Sequence, residues 1–142
     1  MKKIQNIMII IGIIYLIFII GCSGATTESN EDNEKEVKKD NVELTITAKE
    51  LSDKYKENEL RADEKYKDKI IEVSGVIDSI SKVFGQTSIG LASNDLFGVN
   101  CMFESKYESK IAKLNKGDKI TIIGHVNRYG ITVDISKCII KE

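Results

Sequence analysis

Ile71-Glu72-Val73-Ser74-Gly75-Val76-Ile77 and Ile120-Thr121-Ile122-Ile123-Gly124-His125-Val126 are the two stretches on which the fold turns. In each, apolar or small residues recur at every second position, the period of a strand with one face buried. In each, a glycine falls in the inward row, where a small sheet bends sharply with no Cβ in the way. Working outward, Thr87, Ile89 and Leu91 alternate as a second strand, and Phe97, Val99, Cys101 and Phe103 line one face of a third. Ile131, Val133 and Ile135 complete a fifth strand after the 120–126 strand. Turns are expected around Ser81 to Gln86, at Ser93-Asn94-Asp95 and from Asn127 to Gly130. Between the third and fourth strands, Tyr107 to Leu114 suits a short helix that ends at Asn115-Lys116-Gly117-Asp118, with Gly117 free to turn left-handed. The class is mainly β with α, and strand, strand, strand, helix, strand, strand is the order of a five-stranded barrel.

Ahead of the strands, Thr47-Ala48-Lys49-Glu50 has the spacing of a capping box, so a helix starts there. Leu51, Tyr55, Asn58, Ala62 and Tyr66 follow at spacings of three and four, predicting one helix from about Ala48 to Ala62 that precedes the barrel. Asn58 is the polar member of that stripe, either a buried hydrogen-bonding residue or the stripe's edge. Ser23 to Asn41 is almost wholly polar and cannot offset its ordering entropy by burial, which predicts a flexible tether.

Lys2 and Lys3 precede an apolar run from Ile7 to Ile20, the charged start and greasy centre of an export signal. The run closes on Ile19-Ile20-Gly21-Cys22, which resembles the bacterial lipoprotein signal. In such a signal the cysteine is lipidated on sulfur, acylated with groups such as palmitate, and becomes the new N-terminus. Ile19 and Gly21 match that pattern, while Ile20 stands where a small residue is usual. An uncleaved anchor needs roughly 20 apolar residues, and a plain secretory signal would end on an Ala-x-Ala type site; both fit less well. The chain then divides into a signal peptide over 1–21, a polar linker from lipidated Cys22 over 22–43, and one domain over 44–142. Each reading puts that domain beyond the cytoplasmic membrane, and the lipoprotein reading tethers it to the outer face.

Of the 142 residues, 21 are basic and 22 acidic. Without Lys2 and Lys3 the mature chain keeps 19 basic residues against 22 acidic, a net charge of −3. That balance offers no basic excess for nucleic acid. With Cys22 assigned to lipid, Cys101 and Cys138 remain as a pair in an exported domain, where a disulfide can persist. In the barrel order the third and fifth strands are neighbours, so the two cysteines approach each other if a bulge near Lys137 turns Cys138 inward. The alternative is two buried thiols acting as small hydrophobes.

From about Ala48 to the end, the chain resembles the OB-fold family called tRNA_anti-like, found in small exported bacterial proteins. The residues that carry the resemblance are Asn58, Ala62, Tyr66-Lys67-Asp68-Lys69, Val73-Ser74-Gly75, Val99-Asn100-Cys101-Met102-Phe103, Lys116-Gly117-Asp118, Ile123-Gly124 and Cys138. The resemblance implies an OB-fold barrel; it does not by itself imply RNA binding.

No catalytic constellation emerges. His125, the only histidine, has no partner at ligand spacing and is expected on the surface; no nucleophile elbow, phosphate loop or Cys-x-x-Cys motif occurs. No enzyme activity, metal or cofactor is therefore expected. OB folds bind through the surface of strands two and three and the loops beside it, which nominates Lys82, Phe84, Gln86, Asn94, Asn100, Met102, Arg128 and Tyr129. An envelope protein, peptide or glycan is the expected partner, and the domain reads as a binding module. A phage- or plasmid-type exclusion or immunity lipoprotein is the alternative, followed by an oligonucleotide-binding protein.

Overall fold

Gly75 and Gly124 both lie where the sheet curls over on itself. The computed structural model describes residues 36–142 except 94–97, and at positions 128 and 129 the backbone alone. A Cβ on Gly75 would meet Ala48 Cβ at 3.1 Å and Leu91 Cβ at 3.3 Å. One on Gly124 would meet Ile135 Cγ2 at 2.5 Å and Cys138 Sγ at 2.9 Å. Both inward glycines are therefore needed for close approach, as the strand pattern predicted.

Six strands form the sheet: β1 (Leu44–Thr47), β2 (Ile70–Val83), β3 (Gln86–Leu91), β4 (Val99–Phe103), β5 (Lys119–Tyr129) and β6 (Val133–Ile140). Their order is β1-β2-β3-β4-β6-β5, and β5 returns to pair with β2. Strands β2 to β6 thus close a five-stranded barrel of OB-fold type. Its seam is the parallel pairing of Val99 to Cys101 with Val133 to Ile135. The inward row holds Ile71, Val73, Ile77, Ile89, Leu91, Val99, Phe103, Ile122, Val126 and Ile135, all buried.

β1 was not foreseen. It lies parallel to β2, Leu44 against Ile71 through Thr47 against Ser74, along an edge that β3 leaves free. β2 also runs on to Val83 through the stretch expected to turn, leaving Phe84 and Gly85 alone at the hairpin tip with φ of 49° and 83°. Ile131 is 77% exposed and stands outside β6, so the fifth strand starts two residues later than its alternation suggested.

The expected single helix is two. α1 (Ala48–Glu57) and α2 (Glu59–Tyr66) break at Asn58, whose backbone is extended and whose side chain caps α2 by accepting from Arg61 N at 3.0 Å. The capping box at the head of α1 is complete, with Glu50 N donating to Thr47 Oγ1 and Thr47 N donating to Glu50. Ala48, Leu51 and Tyr55 bury the face of α1 that meets β1, β2, β4 and β6. α3 (Glu108–Ile111) is a single turn after a 3-10 turn at Ser105–Tyr107, and Gly117 adopts φ 94° as expected. Among the described residues, no helix is long and apolar enough to cross a membrane.

Cys138 does face inward. β6 carries an extra residue between Ser136 and Ile139, and Lys137 takes φ 51°, the bulge that the alternation required. Of the pair for which a disulfide or two buried thiols were expected, the structure holds Cys101 and Cys138 as free, buried thiols. Cys138 Sγ donates to the Ile135 carbonyl at 3.4 Å, with the Cys101 thiol as its neighbour. Burial first, then Cys101, pushes the Cys138 thiol well above its ordinary range.

Candidate functional site

Alternation puts Ser88 and Gly90 of β3, Asn100 and Met102 of β4, and Asp134 and Ser136 of β6 on the outer face of the barrel. The registers bring them side by side, Ser88 opposite Met102, Gly90 opposite Asn100, and Asn100 opposite Asp134. Their side chains form one hydrogen-bonded row across three strands. Ser88 Oγ donates to Asn100 Oδ1, and Asn100 Nδ2 donates to Asp134 Oδ1 at 3.3 Å. Thr132 Oγ1 donates to the same carboxylate oxygen at 3.0 Å. Gly90 leaves the row low beside Asn100, since a Cβ there would stand 2.5 Å from Ser79 Oγ.

A second polar group continues onto β5. Asn127 Oδ1 accepts from Ser136 Oγ at 3.0 Å and lies 2.9 Å from His125 Nδ1. His125 is only 8% exposed, so the surface histidine expected from the sequence is instead a buried member of this network. A bulge in β5 between Val126 and Arg128 sets Asn127 in reach of both neighbours.

The nominated residues divide. Gln86, Asn100 and Met102 share the outer face, Gln86 at its exposed end. Lys82 does not join them: it pairs with Thr87 in the core-facing row, and its Nζ bonds Glu108 at 3.0 Å. Phe84 is 102% exposed at the hairpin tip, held left-handed, a conformation uncommon for a bulky residue. The backbone of Arg128 and Tyr129 ends β5 opposite Asp134 and Val133, and Asn94 lies outside the described residues. So does Cys22.

Ser88, Asp134, Thr132 and Asn127 were not nominated. Alternation alone placed Ser88 and Asp134 in the outward rows, but which outward polar residues join depends on the β4–β6 register, a long-range pairing no local pattern announces. The row can offer and accept hydrogen bonds. Among the described side chains it contains one carboxylate, no cation and no aromatic ring.

The tRNA_anti-like family matches residues 1–139. Among solved structures, a "putative nucleic acid-binding lipoprotein" from Klebsiella pneumoniae superposes with a TM-score of 0.57 at 18% identity, covering 69% of this chain and 91% of that one. A "putative aspartyl-tRNA synthetase" from Leishmania major gives 0.45 at 12% identity over 68% of this chain and 20% of that one. A replication factor A related protein from Methanobacterium thermoautotrophicum gives 0.41 at 14% over 54% and 84%. No curated protein matches the chain.

Proposed function

The chain belongs to the tRNA_anti-like family, and from that premise we propose that it is a lipid-anchored envelope protein whose OB-fold domain is a non-catalytic binding module for a polar, uncharged ligand, a peptide or glycan. The observation that carries this reading is the Ser88–Asn100–Asp134–Thr132 row, hydrogen-bonded across the outer face. Side chains already held by one another lose little freedom on meeting a ligand, so their remaining donors and acceptors are pre-organised for amide or hydroxyl groups. A phosphate backbone would meet the Asp134 carboxylate on that face, and among the described side chains the row offers single-stranded bases no stacking platform.

Lipid anchoring rests on Ile19-Ile20-Gly21-Cys22 and its preceding apolar run. Metabolic labelling with a fatty acid should mark the chain and fail with Cys22→Ser. For the ligand, the protein is used as bait in envelope extract beside an Asn100→Ala, Asp134→Ala variant of unchanged fold. Capture lost in the variant and untouched by an oligonucleotide competitor supports the module; equal capture by both removes it. Nucleic acid is the second reading, favoured by the description of the Klebsiella neighbour. Displacement by oligonucleotide, weakening with salt, would establish that reading instead.

A further inference from the structure

A second concavity lies away from the polar row, where the N-terminal end of α1 meets β2, the start of β5 and the end of β6. It is an open groove of about 700 Å³, within the size range of small-molecule sites. Val76, Leu114 and Ile140 are among the apolar side chains that line it, with Ala92 and Ile120. Val76 is partly open to solvent although it sits within a strand.

The charged residues that line this groove are of one sign. Lys49, Lys119 and Lys141 line it, and no aspartate or glutamate does. Lys141 is neutralised by Glu72 at 2.7 Å. Lys49 and Lys119 are exposed, with no ion-pair partner among the described residues. Two cations without an ion-pair partner thus flank an apolar trough.

We propose that this groove binds a single-chain anionic amphiphile, with the acyl chain along Val76, Leu114 and Ile140 and the acid head between Lys49 and Lys119. The two halves of the surface need the two halves of such a ligand. An apolar chain removes the trough from water, while the head supplies the missing counter-charge. A hydrogen-bonding ligand of the kind proposed for the outer face would leave the trough unsatisfied, so the two sites take different chemistry.

The test uses the full chain in its own membranes and a dodecanoic acid carrying a photoreactive diazirine. After irradiation, adducts are mapped by peptide mass spectrometry. Labelling is expected on the peptides that hold Val76, Leu114 or Ile140, displaced by dodecanoate and not by dodecanol. A Lys49→Gln, Lys119→Gln variant should lose at least about fivefold of that labelling, the tenfold-per-1.4 kcal/mol scale applied to one lost ion pair; the Lys→Arg pair should retain it. Groove labelling indifferent to Lys→Gln, competition by dodecanol as strong as by dodecanoate, or adducts spread evenly over the chain would each overturn the site. Displacement by an oligonucleotide would also overturn it, by assigning the lysines to phosphate.

Discussion

At the scale of single residues, the inward glycines decide the curvature, and they differ in how much room they lack. A methyl at Gly124 would press on Ile135 and Cys138 and stand 3.0 Å from the Ser136 carbonyl, a backbone atom that cannot step aside alone. Gly124→Ala should therefore cost about 1–3 kcal/mol, the range for overpacking, read as a lowered urea midpoint. Gly75→Ala meets its neighbours less closely and should cost less. Cys138 adds a pH dependence. Its folded pKa is raised, so the neutral thiol's contribution is complete below the ordinary value of 9.0 and is lost as pH rises beyond it toward the folded value. The unfolding free energy should hold level from pH 7 to about 8.5 and then decline, and Cys138→Ala should flatten that first decline. A profile unchanged by the substitution would refute the assignment. Glycine in an inward row was legible in the sequence because period-two alternation is local. The redox state of Cys101 and Cys138 was not, because adjacency of two strands does not decide whether two sulfurs bond or merely touch.

At the scale of elements, the helix break shows what periodicity hides. Leu51, Tyr55, Ala62 and Tyr66 keep a helical stripe across two helices because the break consumes one residue, Asn58, and both faces still pack on the barrel. The stripe was read correctly and its continuity was not. An asparagine with extended backbone and a side chain that caps the next turn is an N-cap, so Asn58→Ala should destabilise by about 1 kcal/mol while Asn58→Asp should be nearly neutral. If Ala were tolerated and helical circular dichroism rose, the two helices would have fused and the cap would be dispensable. β1 escaped notice for another reason. Leu44-Thr45-Ile46-Thr47 does alternate, yet a parallel partner lies 27 positions on at Ile71, and four residues against a polar leader carry little signal. The arm of β2 from Ser79 to Val83 was masked by serine and lysine, which suit a turn by composition and here form a hairpin held by Ser81–Ser88 and Lys82–Thr87 pairing.

At the scale of the whole molecule, barrel closure and α1 are one structure. The β4–β6 seam is short, and α1 touches the strands on both sides of it, β4 on one hand and β6 on the other, as well as β2. Leu51 is fully buried at that contact beside Tyr55 and Ala48. A closed ring has no edge that can detach without exposing core, and its β2–β5 and β4–β6 pairings join residues far apart in sequence, so loss of one wall should release the rest. Leu51→Ala should therefore cost about 2–5 kcal/mol, the range for emptying a buried leucine site, and should leave unfolding all-or-none. Far-ultraviolet circular dichroism, reporting backbone, and tyrosine fluorescence, reporting Tyr55 and Tyr66 in the helices and Tyr107 beside Phe103, should fall along one curve in denaturant. Two separated transitions, with tyrosine moving first, would mean that the strands stand closed without the helix, and that α1 is an attachment to the barrel and no part of its closure.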